Sequence, residues 1–254
     1  MKRPLRWLAR IVGGLFALLL TLFAVLYVTQ RHALPDGVEG EAAEALARRM
    51  NAAVNADAWA RTGAVRWRTR DGARHLWDRA RNLERYENDD LRVLLDLGTR
   101  RGRAWRGGQA LQGDALRGAL DRAWARWAND SFWLNPVPKV FDGGVRRALA
   151  RDDEGRDALR VTYTVGGVTP GDRYLWILDG QGRPRAWRMW VSVLPIPGLE
   201  ASWEGWITLP TGAQVSTVHR IAGLRITLDG IAAAETLAAL EGPTDPFGGL
   251  VGAP

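Results

Sequence analysis

Cysteine is absent from the 254 residues. That excludes disulfides, thiolate zinc sites, a cysteine nucleophile and a lipidated N-terminal Cys. Histidine is scarce: His32, His75 and His219 leave little material for a metal site. The phosphate-binding pattern G-x-x-x-x-G-K-[ST], the dinucleotide pattern G-x-G-x-x-G before a helix, H-E-x-x-H and G-x-S-x-G are all missing. Acidic residues are missing from the first 32 positions, which carry five of the 35 basic residues (Lys2, Arg3, Arg6, Arg10 and Arg31). This leaves 30 basic against 28 acidic residues over 33–254. A nucleic-acid protein concentrates positive charge on its folded part, so no nucleic-acid partner is expected. No metal and no cofactor is expected either.

The basic start precedes an uncharged stretch. Ile11 to Val28 holds 18 residues without a charge, roughly 27 Å as a helix and close to the thickness of a bilayer core. Trp7 and Tyr27 flank it as interfacial aromatics do. The positive-inside rule places the N-terminus in the cytoplasm and the bulk of the chain in the periplasm, held to the inner membrane by a single span. The competing reading is a cleaved signal peptide. Signal h-regions are shorter, about 7–15 residues, and cleavage after Ala33 would put Arg31 at the −3 position. The resulting division is an anchor over 1–32, a linker over 33–40, an exported domain over 41–240 and a flexible Gly/Pro-rich tail over 241–254.

Past the linker, Glu41 to Asn55 has helical spacing, with Ala42, Leu46, Met50, Ala53 and Val54 on one stripe. From Gly63 the period becomes two, and four or five antiparallel strands reach Leu111, punctuated by Asp71-Gly72, Asn88-Asp89-Asp90 and Gly107-Gly108. Asp114 to Ala128 returns to helical period, with Leu116, Leu120, Ala123, Trp124 and Trp127 on one face. SFWLNPVPKVFDGG at 131–144 reads as an ordered loop, because its two prolines exclude a central strand. Strands follow at about 145–151, 158–165, 173–179, 185–193, 201–209, 213–222 and 224–229. The predicted fold class is α+β, mostly β: a strongly curved antiparallel sheet or unclosed barrel of about eleven strands, two helices covering its concave face, and an N-terminal transmembrane helix.

Tryptophan is abundant, 13 residues against 4 Tyr and 5 Phe. By strand parity Trp187 shares a face with Met189, Val191 and Val193, and Trp203 with Ala201, Ile207 and Leu209. Trp190 and Trp206 fall on the opposite face. Inward tryptophans either fill a wide core or line an aromatic cavity for an apolar ligand. Residues picked by parity and helix face for such a cavity are Trp67, Trp77, Trp124, Trp127, Phe132, Trp133, Trp187 and Trp203. His75 and Asp78 lie on opposite faces of one strand and make a poor dyad. His219 reads as a hydrogen-bonded structural histidine, and Asp152, Asp153, Glu154 and Asp157 as a solvated turn. No catalytic cluster emerges, so no enzyme is expected.

Three segments, RHLWDRA at 74–80, SFWLNPVPKVFDGG at 131–144 and YLWILDGQGRPRAW at 174–187, together with the order of elements over about 41–230, resemble the Lol-type lipoprotein carrier and lipoprotein-sorting superfamily. The run of an aromatic loop into Lys139 and then Asp142-Gly143 is similar to the loop in those relatives. The resemblance implies an unclosed barrel with a helical lid over an apolar cavity, and a lipid or lipoprotein acyl chain as ligand. This chain departs from a soluble carrier in its apparent anchor, which prevents shuttling between membranes. The expected role is binding of an apolar ligand at the inner-membrane surface. The alternative is an envelope protein-interaction module with a filled core.

Overall fold

The computed structural model describes residues 2–165 and 169–250. α1 (Lys2–Gln30) is the apolar N-terminal helix. Over Arg10–Gln30 it is long and apolar enough to cross a membrane, and none of that stretch is buried against the rest of the chain. Next come β1 (Gly37–Val38), α2 (Glu41–Ala53) and α3 (Ala56–Arg61), then the strands β2 (Ala64–Thr69), β3 (Arg74–Asp78), β4 (Leu83–Asn88), β5 (Leu91–Asp96), β6 (Gly102–Arg106) and β7 (Gln109–Ala110). α4 (Gly113–Leu134) and a 3₁₀ turn at Val137–Phe141 lead into β8 (Val145–Arg151), β9 (Asp157–Tyr163), β10 (Arg173–Leu178), β11 (Pro184–Trp190) and β12 (Leu199–Ser202). β13 (Ile207–Thr208) and β14 (Gln214–Val215) form a separate ladder, and β15 (Val218–Ile221), β16 (Leu224–Ala234) and α5 (Leu237–Glu241) complete the chain.

Fourteen strands make one unclosed antiparallel sheet in the order β1-β8-β9-β10-β11-β12-β15-β16-β2-β3-β4-β5-β6-β7. Its two edges are only two residues long, which limits edge-to-edge pairing with another chain. β16 joins the two runs: it pairs with β15 on one side and β2 on the other. Its register with β2 shifts between Asp229 and Ala232, where Gly230 takes φ +60°. A left-handed residue at a bulge bends the strand and increases its twist, so the sheet curls between its halves.

The helices cover the concave face, as their patterns require. α2 carries Glu41 and Glu44 in its first turn, where the helix dipole favours them, and buries Ala43, Ala47 and Met50 at a four-three spacing. α3 was not anticipated; Asn55, at φ +52°, ends the α2 segment and caps α3 with its side-chain oxygen. α4 is longer than its sequence pattern suggested. The residues Ser131-Phe132-Trp133-Leu134, read as loop, are its last turn. The helix stops there because Asn135 precedes Pro136 and is biased out of the α region. At 22 residues it is about 33 Å long, enough to touch both halves of the sheet.

Three other expectations change. β11 ends at Trp190, so Val191 and Val193 belong to the loop that follows; Val191 still packs against the cluster of Trp187, whereas Val193 is exposed. The chain is irregular between Trp203 and Ile207, which returns Trp206 to the same side as Trp203, 6.1 Å between ring centroids. The single strands read at 201–209 and 213–222 are each broken in two. The tail read as flexible places Phe247 fully buried on the convex face with Leu76, Leu83 and Leu94, and Arg81 grips Asp245 through both guanidinium nitrogens. Residues 251–254 of that tail lie outside the described residues.

Candidate functional site

The concave face holds two clusters, one per half of the sheet, and α4 contributes to both. Over β2–β6, Trp67 stacks flat on His75 with ring centroids 4.5 Å apart, and Trp77 meets Trp127 edge-on at 5.2 Å. Trp124 lies at the rim, half-buried, with the Arg100 guanidinium 3.6 Å from its ring centroid. Over β8–β12, Trp187 is the hub. Its ring centroid lies 4.8 to 5.4 Å from those of Phe132, Trp133, Tyr174, Trp176 and Trp203. The eight candidate residues therefore divide between the two clusters. Trp67, Trp77, Trp124 and Trp127 belong to the first cluster, Phe132, Trp187 and Trp203 to the second, and Trp133 packs against both. Trp176, Tyr163 and Tyr174 share the second cluster and were missed. Their signal was parity in β9 and β10, where Val161, Tyr163, Tyr174 and Trp176 all fall on the inner face.

The first cluster encloses an ionic triad that the sequence did not reveal. Nδ1 of His75 is 2.7 Å from Oε1 of Glu84, and Nε2 is 3.0 Å from Oδ2 of Asp130. Glu84 and the His75 ring are sealed from solvent, and Asp130 is nearly so. Arg126, one turn before Asp130 on α4, reaches the same carboxylate at 3.1 Å and Asp71 at 3.0 Å. With a carboxylate at each ring nitrogen, the imidazolium donates both hydrogen bonds. Burial alone would discharge His75, but the bonds to Asp130 and Glu84 outweigh it and raise its pKa to about 9. Burial raises Glu84 to about 7 despite the His75 proton beside it. Oε2 of Glu84 has no partner. The triad ties β3 and β4 to α4.

His219 in the second cluster has the opposite character. It donates from Nδ1 to the Ser202 carbonyl at 3.0 Å and lies against the rings of Trp133 and Trp203. Burial depresses its pKa to about 4, so it is neutral. The expected structural role fits this geometry. Asp78 pairs with Arg81, away from His75. In the acidic turn, Asp152 is buried and held below its usual range: burial opposes the charge, but bonds from Arg156 prevail. Among the described residues no group of three or more His, Asp or Glu side chains is placed to hold a metal ion.

The inner rings carry unused donors. The indole N–H groups of Trp67, Trp77, Trp127, Trp176, Trp187 and Trp203 are buried without an acceptor, and so is the hydroxyl of Tyr163. Two concavities lie elsewhere. One, about 470 Å³, sits beside α2 and α3, lined by Arg48, Asn51, Asn55, Asp57 and Phe141 among others. The other, about 530 Å³, lies where α1 ends, lined by Tyr27, Asp172, Trp190, Leu194, Pro195 and Pro197 among others. None of the eight candidate residues lines either one.

No protein-family model matches the chain. No curated protein matches it. Among solved structures, it is similar to a domain from Vibrio parahaemolyticus whose name describes it as an outer membrane lipoprotein-sorting protein domain. The identity is 7%, the TM-score 0.32, and the match covers 74% of this chain and 93% of that one. The fold itself is an unclosed antiparallel half-barrel, mostly β, with helices on its concave face.

Proposed function

We propose that this chain is a non-catalytic, membrane-anchored binding protein of the cell envelope. In this reading α1 spans the inner membrane with its basic end in the cytoplasm, the half-barrel stands in the periplasm, and an amphipathic ligand, a lipid or lipoprotein acyl chain, enters between α4 and the sheet. The observation that carries the reading is the set of six buried indole N–H groups without acceptors on the inner face. An unmet buried donor costs about 1–3 kcal/mol, and a core selected for packing alone keeps few of them. A ligand with an apolar body and ester or amide carbonyls supplies both the contact and the acceptors. Moving α4 away breaks the His75–Asp130 bond, so the triad makes the closed state the resting one.

A second reading has its own support. The rings around Trp187 already touch one another, as they do in a filled core, and a filled half-barrel serves as a platform for a protein partner. Native mass spectrometry of the full chain released from nanodiscs of defined phospholipid separates the two. The binding reading expects one retained lipid per chain, lost in Trp127→Glu while the fold persists by circular dichroism. A bare mass for the wild type in every lipid tried overturns it in favour of the platform.

A further inference from the structure

The eight residues that follow β11, Val191-Ser192-Val193-Leu194-Pro195-Ile196-Pro197-Gly198, carry no charge. Val193 is 67% exposed, whereas Ile196 is buried and pins the loop to the body. The loop lies beside the end of α1. Tyr27, three residues before the last residue of that helix, forms one wall of the 530 Å³ concavity, and Leu194, Pro195 and Pro197 form another. The chain leaving α1 is fastened to the same place. The His32 amide donates to the Pro197 carbonyl at 3.0 Å, and the His32 carbonyl accepts from Nε1 of Trp190 at 3.0 Å. Gly198, at φ +74°, permits this approach: a Cβ there would sit 2.7 Å from the His32 oxygen.

From these contacts we infer that the 191–197 loop is a second membrane contact, which seats in the interfacial layer of the leaflet that α1 enters and receives phospholipid in the concavity beside Tyr27. The inference rests on the reading of α1 as a membrane anchor. Three residues of helix rise about 4.5 Å, less than the polar layer of one leaflet, about 5–7 Å deep. A loop that shares a concavity with Tyr27 is therefore held at headgroup level. Its backbone is suited to that place. Pro195 and Pro197 have no amide hydrogen, the Leu194 amide donates to the Val191 carbonyl, the Gly198 amide to Met189, and the Ser192 amide to the Asp172 carboxylate. Half of the six amide donors over 191–198 are thus already paired before the loop enters a less polar layer. Arg31, whose guanidinium lies 5.6 Å from the Tyr27 ring centroid, stands where lipid phosphates would meet it. Trp190, expected by parity on the face opposite Trp187, lines this concavity.

The absence of native cysteine allows a direct test on the full chain. Single variants Val193→Cys, Asp90→Cys in the β4–β5 turn and Leu19→Cys in α1 are labelled with an environment-sensitive fluorophore and reconstituted into vesicles. The vesicles carry nitroxide on the lipid headgroup or deep on the acyl chain. The headgroup nitroxide is expected to quench the label at 193 several-fold more than the label at 90, and the deep nitroxide to quench the label at 19. An unquenched 193 with a quenched 19 overturns the loop contact and leaves the anchor standing. Equal quenching at 193 and 90 also overturns it. An unquenched 19 removes the anchor reading and the inference with it.

Discussion

The two halves of the concave face each bury a histidine against tryptophan, and the two histidines titrate in opposite directions. His75 stacks on Trp67 but has Glu84 and Asp130 at its ring nitrogens, and its pKa rises to about 9. His219 lies against Trp133 and Trp203 with one carbonyl as partner, and its pKa falls to about 4. The aromatic surroundings are alike, so the difference comes from the carboxylates. Burial disfavours the imidazolium in both places, and only a close anion reverses that. One half is thereby latched to α4 by charge, and the other meets α4 through the rings of Phe132 and Trp133.

Breaking the packed half should cost most. Trp187→Ala removes the hub of the second cluster, and truncation of a buried Trp costs about 3–5 kcal/mol. A loss at the upper end is expected in urea unfolding, and a loss under about 1 kcal/mol would mean that the rings enclose mobile space. In the charged half, His75→Leu strands Glu84 and leaves Asp130 to Arg126 and Asn129, a defect of about 3 kcal/mol by comparison with other broken buried pairs. The same scale of loss is not expected for exposed pairs such as Asp114–Arg117.

The pH dependence sharpens the contrast. A group whose folded pKa is raised stabilises below its unfolded value and loses that contribution as pH climbs through the folded value. His75 therefore adds stability that is complete below pH 6.5 and gone above about 9. Glu84 acts in the same sense between 4.5 and about 7. His219, depressed, withdraws stability as pH falls from 6.5 to about 4. Above neutrality the melting temperature should fall toward pH 9, by up to about 1.4 kcal/mol of stability per pH unit for one proton, and His75→Leu should flatten that limb. His219→Gln should flatten the acid limb instead. If the two variants exchange these effects, the assignments are reversed. The smallest effect belongs to the tether. Trp190→Phe deletes one hydrogen bond to His32 and should cost about 1 kcal/mol, read as a shift in the same melts.

Much of the architecture was legible because it is local. The 18-residue uncharged run, the switches between period two and period 3.6, and the turn at Asp179-Gly180 all lie within a few residues of one another. The strands β2–β6, the two covering helices and the inward set from Trp67 to Trp203 follow from them. The loop assignment for 131–134 failed because two prolines further on outweighed the helical spacing that Phe132 and Trp133 continue. The break at 203–207 failed because nothing in the alternating pattern marks it.

The sequence by itself determined that the chain begins with a bilayer-length apolar helix and continues as a curved antiparallel sheet with tryptophans on its inner face, since sterics and hydrophobic periodicity act between near neighbours. Only the tertiary structure decided that Asp130, 55 residues from His75, closes a buried ionic triad with Glu84. It alone brought five rings, from α4, β10 and the segment just after β12, onto Trp187, and it alone seated the 191–197 loop beside Tyr27. Such meetings depend on strand register and on where a helix docks, and these are settled by the summed packing of the whole domain.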